Sequence, residues 1–167
     1  MKEAYEMDDI EERVLAIMNA AAEGLISVPE LLGFTDDDAE RLYDSALSLY
    51  ERGATSQAEL VLEWVVNAKP YTARYWTAYA ATLQAREAFV PAIRLYTVAL
   101  TLDPDDVIAL AHRGECCLLV GLVERGLDDL GRACAQAPRS DERRHWVEHA
   151  RRLLALHEGV RALAPVA

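Results

Sequence analysis

The sequence predicts an all-α protein: three antiparallel helix pairs in a right-handed superhelix, with N-terminal helices before them and a C-terminal capping helix after. Three observations carry this. Pro70, Pro104 and Pro138 stand 34 residues apart, each behind a run that reads as a helix end. Such spacing, with other residues in register, marks an internal repeat. Small residues recur at the eighth and twentieth places of each unit, as Ala46 and Ala58, Ala80 and Ala92, Gly114 and Gly126. Bulky ones recur at the fourth and twenty-fourth, as Leu42 and Leu62, Trp76 and Tyr96, Leu110 and Leu130. Small residues let two helices approach closely and large ones fill the space that remains.

The elements follow in order. Asp8 or Asp9 can cap a first helix whose apolar residues Ile10, Val14, Ile17, Met18, Ala21 and Leu25 repeat at three and four. Gly24 is a plausible stop. Ser27 to Glu30 has capping-box spacing with an early proline and suggests one or two turns, broken by Gly33. Residues 1–35 form this N-terminal segment. Thr35 followed by Asp36, Asp37 and Asp38 starts the next helix, with carboxylates where the helix dipole favours them. A cation site is the other reading of the three acids, but no downstream bidentate Glu completes an EF-hand loop.

Residues 36–140 then hold the three units, 39–72, 73–106 and 107–140. Their helices are expected at 36–52 and 55–69, 72–86 and 89–102, and 106–120 and 123–137. Gly53 and Gly121 stop the first helix of the outer pairs. Pro91 sits in a first turn, where its missing N–H is harmless, and each 34-spaced proline ends a second helix. Ser140 caps a last helix over about 141–163, within a terminal region 141–167. Its stripe of Trp146, Ala150, Leu153 or Leu154 and Val160 can cover the open end of the last unit, as solenoid ends require.

Composition narrows the function. The 52% hydrophobic content with 8 Gly and 6 Pro in 167 residues suits a compact helical chain. A net charge of -11 argues against nucleic acid or an anionic membrane as the main partner. No secretion signal and no membrane span are expected from the acidic first ten residues and the lack of a long apolar run. Cys116, Cys117 and Cys134 have no metal spacing and read as buried reduced thiols. No cofactor and no metal is expected.

The fullest unit, 73–106, matches the tetratricopeptide pattern. In that architecture the first helix of each pair lines a concave groove. This places Tyr43, Leu47 and Tyr50 there from the first unit, Thr77, Ala81 and Gln84 from the second, and Ile108, Ala111 and Leu118 from the third. Tyr96 sits at a packing position and is read both as groove lining and as core. The surface is apolar and aromatic. The Lys, Asn and Arg clamp with which some tetratricopeptide domains grip chaperone C-termini is missing, because Tyr43, Leu47, Ala78, Ile108 and His112 occupy those places.

The segment from Ala39 to Gly53, with Ala92-Ile93-Arg94-Leu95-Tyr96 and Gly114-Glu115-Cys116-Cys117-Leu118-Leu119-Val120-Gly121, resembles the class II type III secretion chaperones over about residues 30–140. The resemblance implies a cytosolic bacterial chaperone that keeps hydrophobic, pore-forming translocators soluble and apart before secretion. It also implies that an extended Pro-x-Leu-x-x-Pro-like segment of the client enters the groove against Tyr43, Leu47, Tyr50 and Tyr96. Leu47 replaces a more usual Phe. Members tend to form homodimers through N-terminal helices, here through Val14, Ile17 and Met18.

One enzyme-like motif occurs, His145-Trp146-Val147-Glu148-His149, in the order H-x-x-E-H of inverted zinc proteases. His145 and His149 share a helix face, but a third ligand is needed well downstream and only 18 residues follow. No catalytic residue is assigned. The competing non-enzymatic reading is a general tetratricopeptide adaptor that binds folded partners or charged tails.

Overall fold

The computed structural model describes residues 33–136 and 140–163, which form seven helices and no strand. These are α1 (Asp36–Glu51), α2 (Thr55–Ala68), α3 (Ala73–Ala85), α4 (Phe89–Leu102), α5 (Val107–Leu119), α6 (Val123–Ala135) and α7 (Asp141–Leu163). Every helix expected after residue 35 is present within two residues of its expected ends. The expected N-terminal helices, with Val14, Ile17 and Met18, lie outside the described residues, as does Pro138.

Local chemistry explains the starts and stops. Thr35 opens α1 with a full capping box: its hydroxyl accepts from Asp38 N while the Asp38 carboxylate accepts from Thr35 N. The three acids are therefore a helix start. Asp106 caps α5 by accepting from Ile108 N at 3.0 Å. The turns inside the pairs repeat in geometry as well as in sequence. Gly53, Glu87 and Gly121 stand 34 residues apart with φ of 78°, 60° and 82°. In each turn the next N–H reaches back five residues, Ala54 to Leu49, Ala88 to Leu83 and Leu122 to Cys117, the signature of a Schellman stop. Glycine occupies this left-handed position in the outer pairs. Glu87 takes it in the middle pair despite its Cβ.

The turns between pairs are tied by side chains that take the carbonyls of the spaced prolines. Trp76 Nε1 donates to Pro70 O and Arg132 donates to Pro104 O, each at 2.7 Å. Consecutive helices pack antiparallel, and α7 lies against both α5 and α6. The close-approach positions behave as the pattern requires. Ala46, Ala58, Ala80 and Ala92 are fully buried. At Gly126 a Cβ would fall 2.9 Å from Gly114 O, so even a methyl would push α5 and α6 apart.

Two apolar clusters form the core. The larger runs from Ala80 through Tyr96 and Leu110 to Leu130, Val147 and Ala150, uniting the second and third pairs with α7. The smaller joins Ala39, Val65, Val66 and Tyr75, and so fastens the first pair to α3. Trp76 packs against both. Inside the third pair Arg113 and Asp129 form a buried, two-pronged ion pair at 2.7 and 2.6 Å. Cys116 and Cys117 are buried and free, whereas Cys134 is only partly buried. Burial pushes the Cys116 thiol up to about 12, so it stays protonated.

Candidate functional site

Repetition of the helix pair sets α1, α3 and α5 side by side, and their shared face forms a cleft of about 370 Å³. Tyr43, Leu47 and Tyr50 come from α1, and Arg74, Thr77, Ala78 and Ala81 from α3. Ile108 and His112 come from α5, Asp103 and Asp106 from the turn before it, and Arg143 and Trp146 from α7. Small residues of α3 leave the hollow, and bulkier ones on either side wall it. A cleft of this size and lining takes an apolar side chain or two, each contributing roughly 1.5–3 kcal/mol when buried.

Polar contacts hold the walls in place. The Arg74 guanidinium sits 5.1 Å above the Tyr43 ring and 5.2 Å above that of Tyr75, while ion-paired to Glu40. The Tyr75 hydroxyl also donates to Glu40, and this bond is the main reason the Glu40 carboxyl sits below its ordinary pKa. Thr77 Oγ1 donates to Asp106 Oδ2 at 3.0 Å, locking α3 to the start of α5. At the far end the His112 imidazole lies parallel to the Tyr96 ring at 5.6 Å, with Trp146 at 4.1 Å. Burial, with a smaller contribution from His149, lowers the His112 pKa to about 4, so the ring is neutral near pH 7.

Of the residues expected in the groove, Tyr43, Leu47, Tyr50, Thr77, Ala81 and Ile108 meet in this cleft. Four do not. Tyr96 is fully buried with its hydroxyl donating to Gln84 Oε1 at 2.8 Å, so it is core, which decides between its two readings. Ala111 is fully buried as well, because its position on α5 points into the core of the second and third pairs and not into the groove. Gln84 also donates to Glu115 Oε2 at 2.9 Å and braces α3 against α5 outside the cleft. Leu118 lines a different hollow, with Glu115, Leu119, Leu153, Leu156 and His157, between α5 and the later part of α7.

Arg143 and Trp146 were not expected in the cleft. They lie three residues apart on one helix face, and the apolar stripe of α7 was legible. Its crossing angle was not, and that angle brings the first turns of the capping helix over the concave face. The H-x-x-E-H run is used differently from a metal site. His145 and His149 each meet the Trp146 ring edge-on at 5.4 Å, and Val147 is buried. His149 Nε2 lies 3.6 Å from Glu115 Oε2, a distance for an ion pair when protonated and too long for a hydrogen bond. Among the described residues no three His, Cys, Asp or Glu side chains group to hold a metal ion. No described helix is long and apolar enough to cross a membrane.

No family model matches the chain. The chaperone protein SicA of Salmonella typhimurium is 31% identical over 117 residues, spanning 70% of each chain. Among solved structures, a type III secretion complex from Aeromonas hydrophila superposes with a TM-score of 0.76 at 21% identity, covering 89% of this chain and 99% of that one. PcrH of Pseudomonas aeruginosa, in complex with the chaperone binding region of PopD, superposes at 0.71 with 21% identity over 77% of this chain and 97% of that one. These likenesses show the shared helical fold, and the sequence relationship to SicA goes further: the chain belongs to the class II type III secretion chaperones, built on tetratricopeptide repeats.

Proposed function

We propose that this protein is a cytoplasmic bacterial chaperone, without catalytic activity, for pore-forming translocators of a type III secretion system. It holds an extended segment of the client, of the Pro-x-Leu-x-x-Pro kind, in the cleft between α1, α3 and α5. The observation that carries the reading is the lining itself: Tyr43, Leu47 and Tyr50 face Ala78, Ala81 and Ile108 across a hollow sized for an apolar anchor. The capture of a PopD region by the similarly folded PcrH supports it. A client that will later enter a membrane exposes apolar segments, and covering one of them suppresses association with other copies. Before it meets a client the chain forms a homodimer through Val14, Ile17 and Met18.

The test is co-expression with a translocator, followed by affinity measurement with a labelled Pro-x-Leu-x-x-Pro peptide. Ala81→Arg fills the hollow from α3, and Tyr43→Ala with Tyr50→Ala removes its α1 wall. Either change is expected to weaken binding by tenfold or more while helix content is retained. Unchanged peptide affinity in both variants overturns the groove assignment.

A further inference from the structure

Among the described residues, the cleft holds one cation whose charged group has no partner. Arg74 is committed to Glu40 and to two aromatic faces. Arg143 is partly buried, lines the same cleft, and its guanidinium forms no hydrogen bond or ion pair among the described residues. Its backbone is fixed, since Arg143 N donates to the capping Ser140 hydroxyl at 3.2 Å. One helical turn on, Trp146 lies over His112 and forms an apolar wall next to it. The acids of the cleft, Asp103 and Asp106, lie in the turn before α5. Asp106 already accepts from Thr77 and from Ile108 N, and Asp103 from Asp105 N. Neither pairs with Arg143.

We infer that α7 gives the groove a carboxylate-reading end, where Arg143 selects client segments that carry an acidic residue beside the apolar anchor seated against Trp146. This rests on the groove reading proposed above and adds a specificity to it. The physical reason is the unequal cost of leaving a partly desolvated guanidinium unpaired. An Asp or Glu side chain supplies the two parallel acceptors that a guanidinium fork matches, whereas Gln or Asn supplies one neutral acceptor. The chain as a whole is strongly acidic, with a net charge of -11, so a client carboxylate is repelled by most of the surface and favoured beside this unpaired cation. The device also differs from a clamp on the paired helices, because its charge comes from the cap.

The experiment uses the full chain and fluorescein-labelled Pro-x-Leu-x-x-Pro peptides, with Glu placed in turn at each variable and flanking position and a Gln counterpart for each. Anisotropy titrations at low salt should find one position where Glu binds about fivefold tighter than Gln, a contrast that shrinks at high salt. Arg143→Gln should bring that ratio to about one. Arg143→Glu should invert it, so that a Lys peptide outperforms the Glu peptide at the same position. Equal binding of every Glu and Gln pair, or a preference that survives Arg143→Gln, overturns the inference while leaving the groove reading standing. Failure of every peptide to bind overturns both.

Discussion

Arg113 on α5 and Asp129 on α6 meet in a fully enclosed, two-pronged ion pair, with Asp129 only 1% exposed. The same guanidinium donates to Thr97 Oγ1 at 3.1 Å, so one buried cation links three helices. Neither residue touches the cleft. Their role is to fix how the third pair sits on the second, and therefore where Ile108 and His112 face.

Removing one partner strands the other. Asp129→Ala leaves a buried guanidinium unpaired and is expected to cost about 3–5 kcal/mol, whereas Arg113→Met with Asp129→Leu should recover most of that loss. Denaturant titration of the three variants checks this. A single Asp129→Ala variant as stable as the parent is the contrary result.

His112 links stability to pH. Burial lowers its folded pKa to about 4 from the ordinary 6.5, so below 6.5 the unfolded chain takes up a proton that the folded chain refuses. The stability it contributes is present above pH 6.5 and is lost as pH falls toward 4, by up to about 3 kcal/mol. His112→Phe should flatten the difference between denaturation curves at pH 7 and pH 4.5. An unaltered pH dependence in that variant contradicts the assignment.

The proposed homodimer rests on the apolar stripe of the N-terminal sequence. Ile17→Glu places a charge in the middle of that stripe and should convert the free protein to a monomer in sedimentation velocity without changing its helix content. A parent protein that already sediments as a monomer overturns this part of the proposal.

The scaffold was legible because its determinants are local and periodic. Thr35 with Asp38, the glycines at 53 and 121, and Pro70 and Pro104 each act within a few residues, and their spacing repeats. The small residues at 46, 58, 80, 92, 114 and 126 mark close helix approaches that hold in the structure. Six of the ten residues expected in the groove line the cleft and followed from the same register. Tyr96 and Ala111 did not, because facing the concave side and facing the next helix differ by one step around the helix, and only packing decides between them. Arg143 and Trp146 were hidden for another reason. Their place in the cleft depends on how α7 crosses α5 and α6, and no short-range signal encodes a crossing angle. Glu87 shows the converse: the repeat predicts its left-handed turn more reliably than its own side chain does.

The division of the core also divides the walls of the cleft. Tyr43 packs with the cluster of the first pair, whereas Trp146 and, through Tyr96, His112 pack with the larger one. Trp76 is the shared side chain between them. The two walls of the cleft thus rest on different apolar clusters that meet on α3, where Tyr75 belongs to one, Ala80 to the other, and Trp76 packs against both. Trp76→Ala should therefore loosen both walls at once, whereas a truncation inside one cluster loosens only the wall that rests on it.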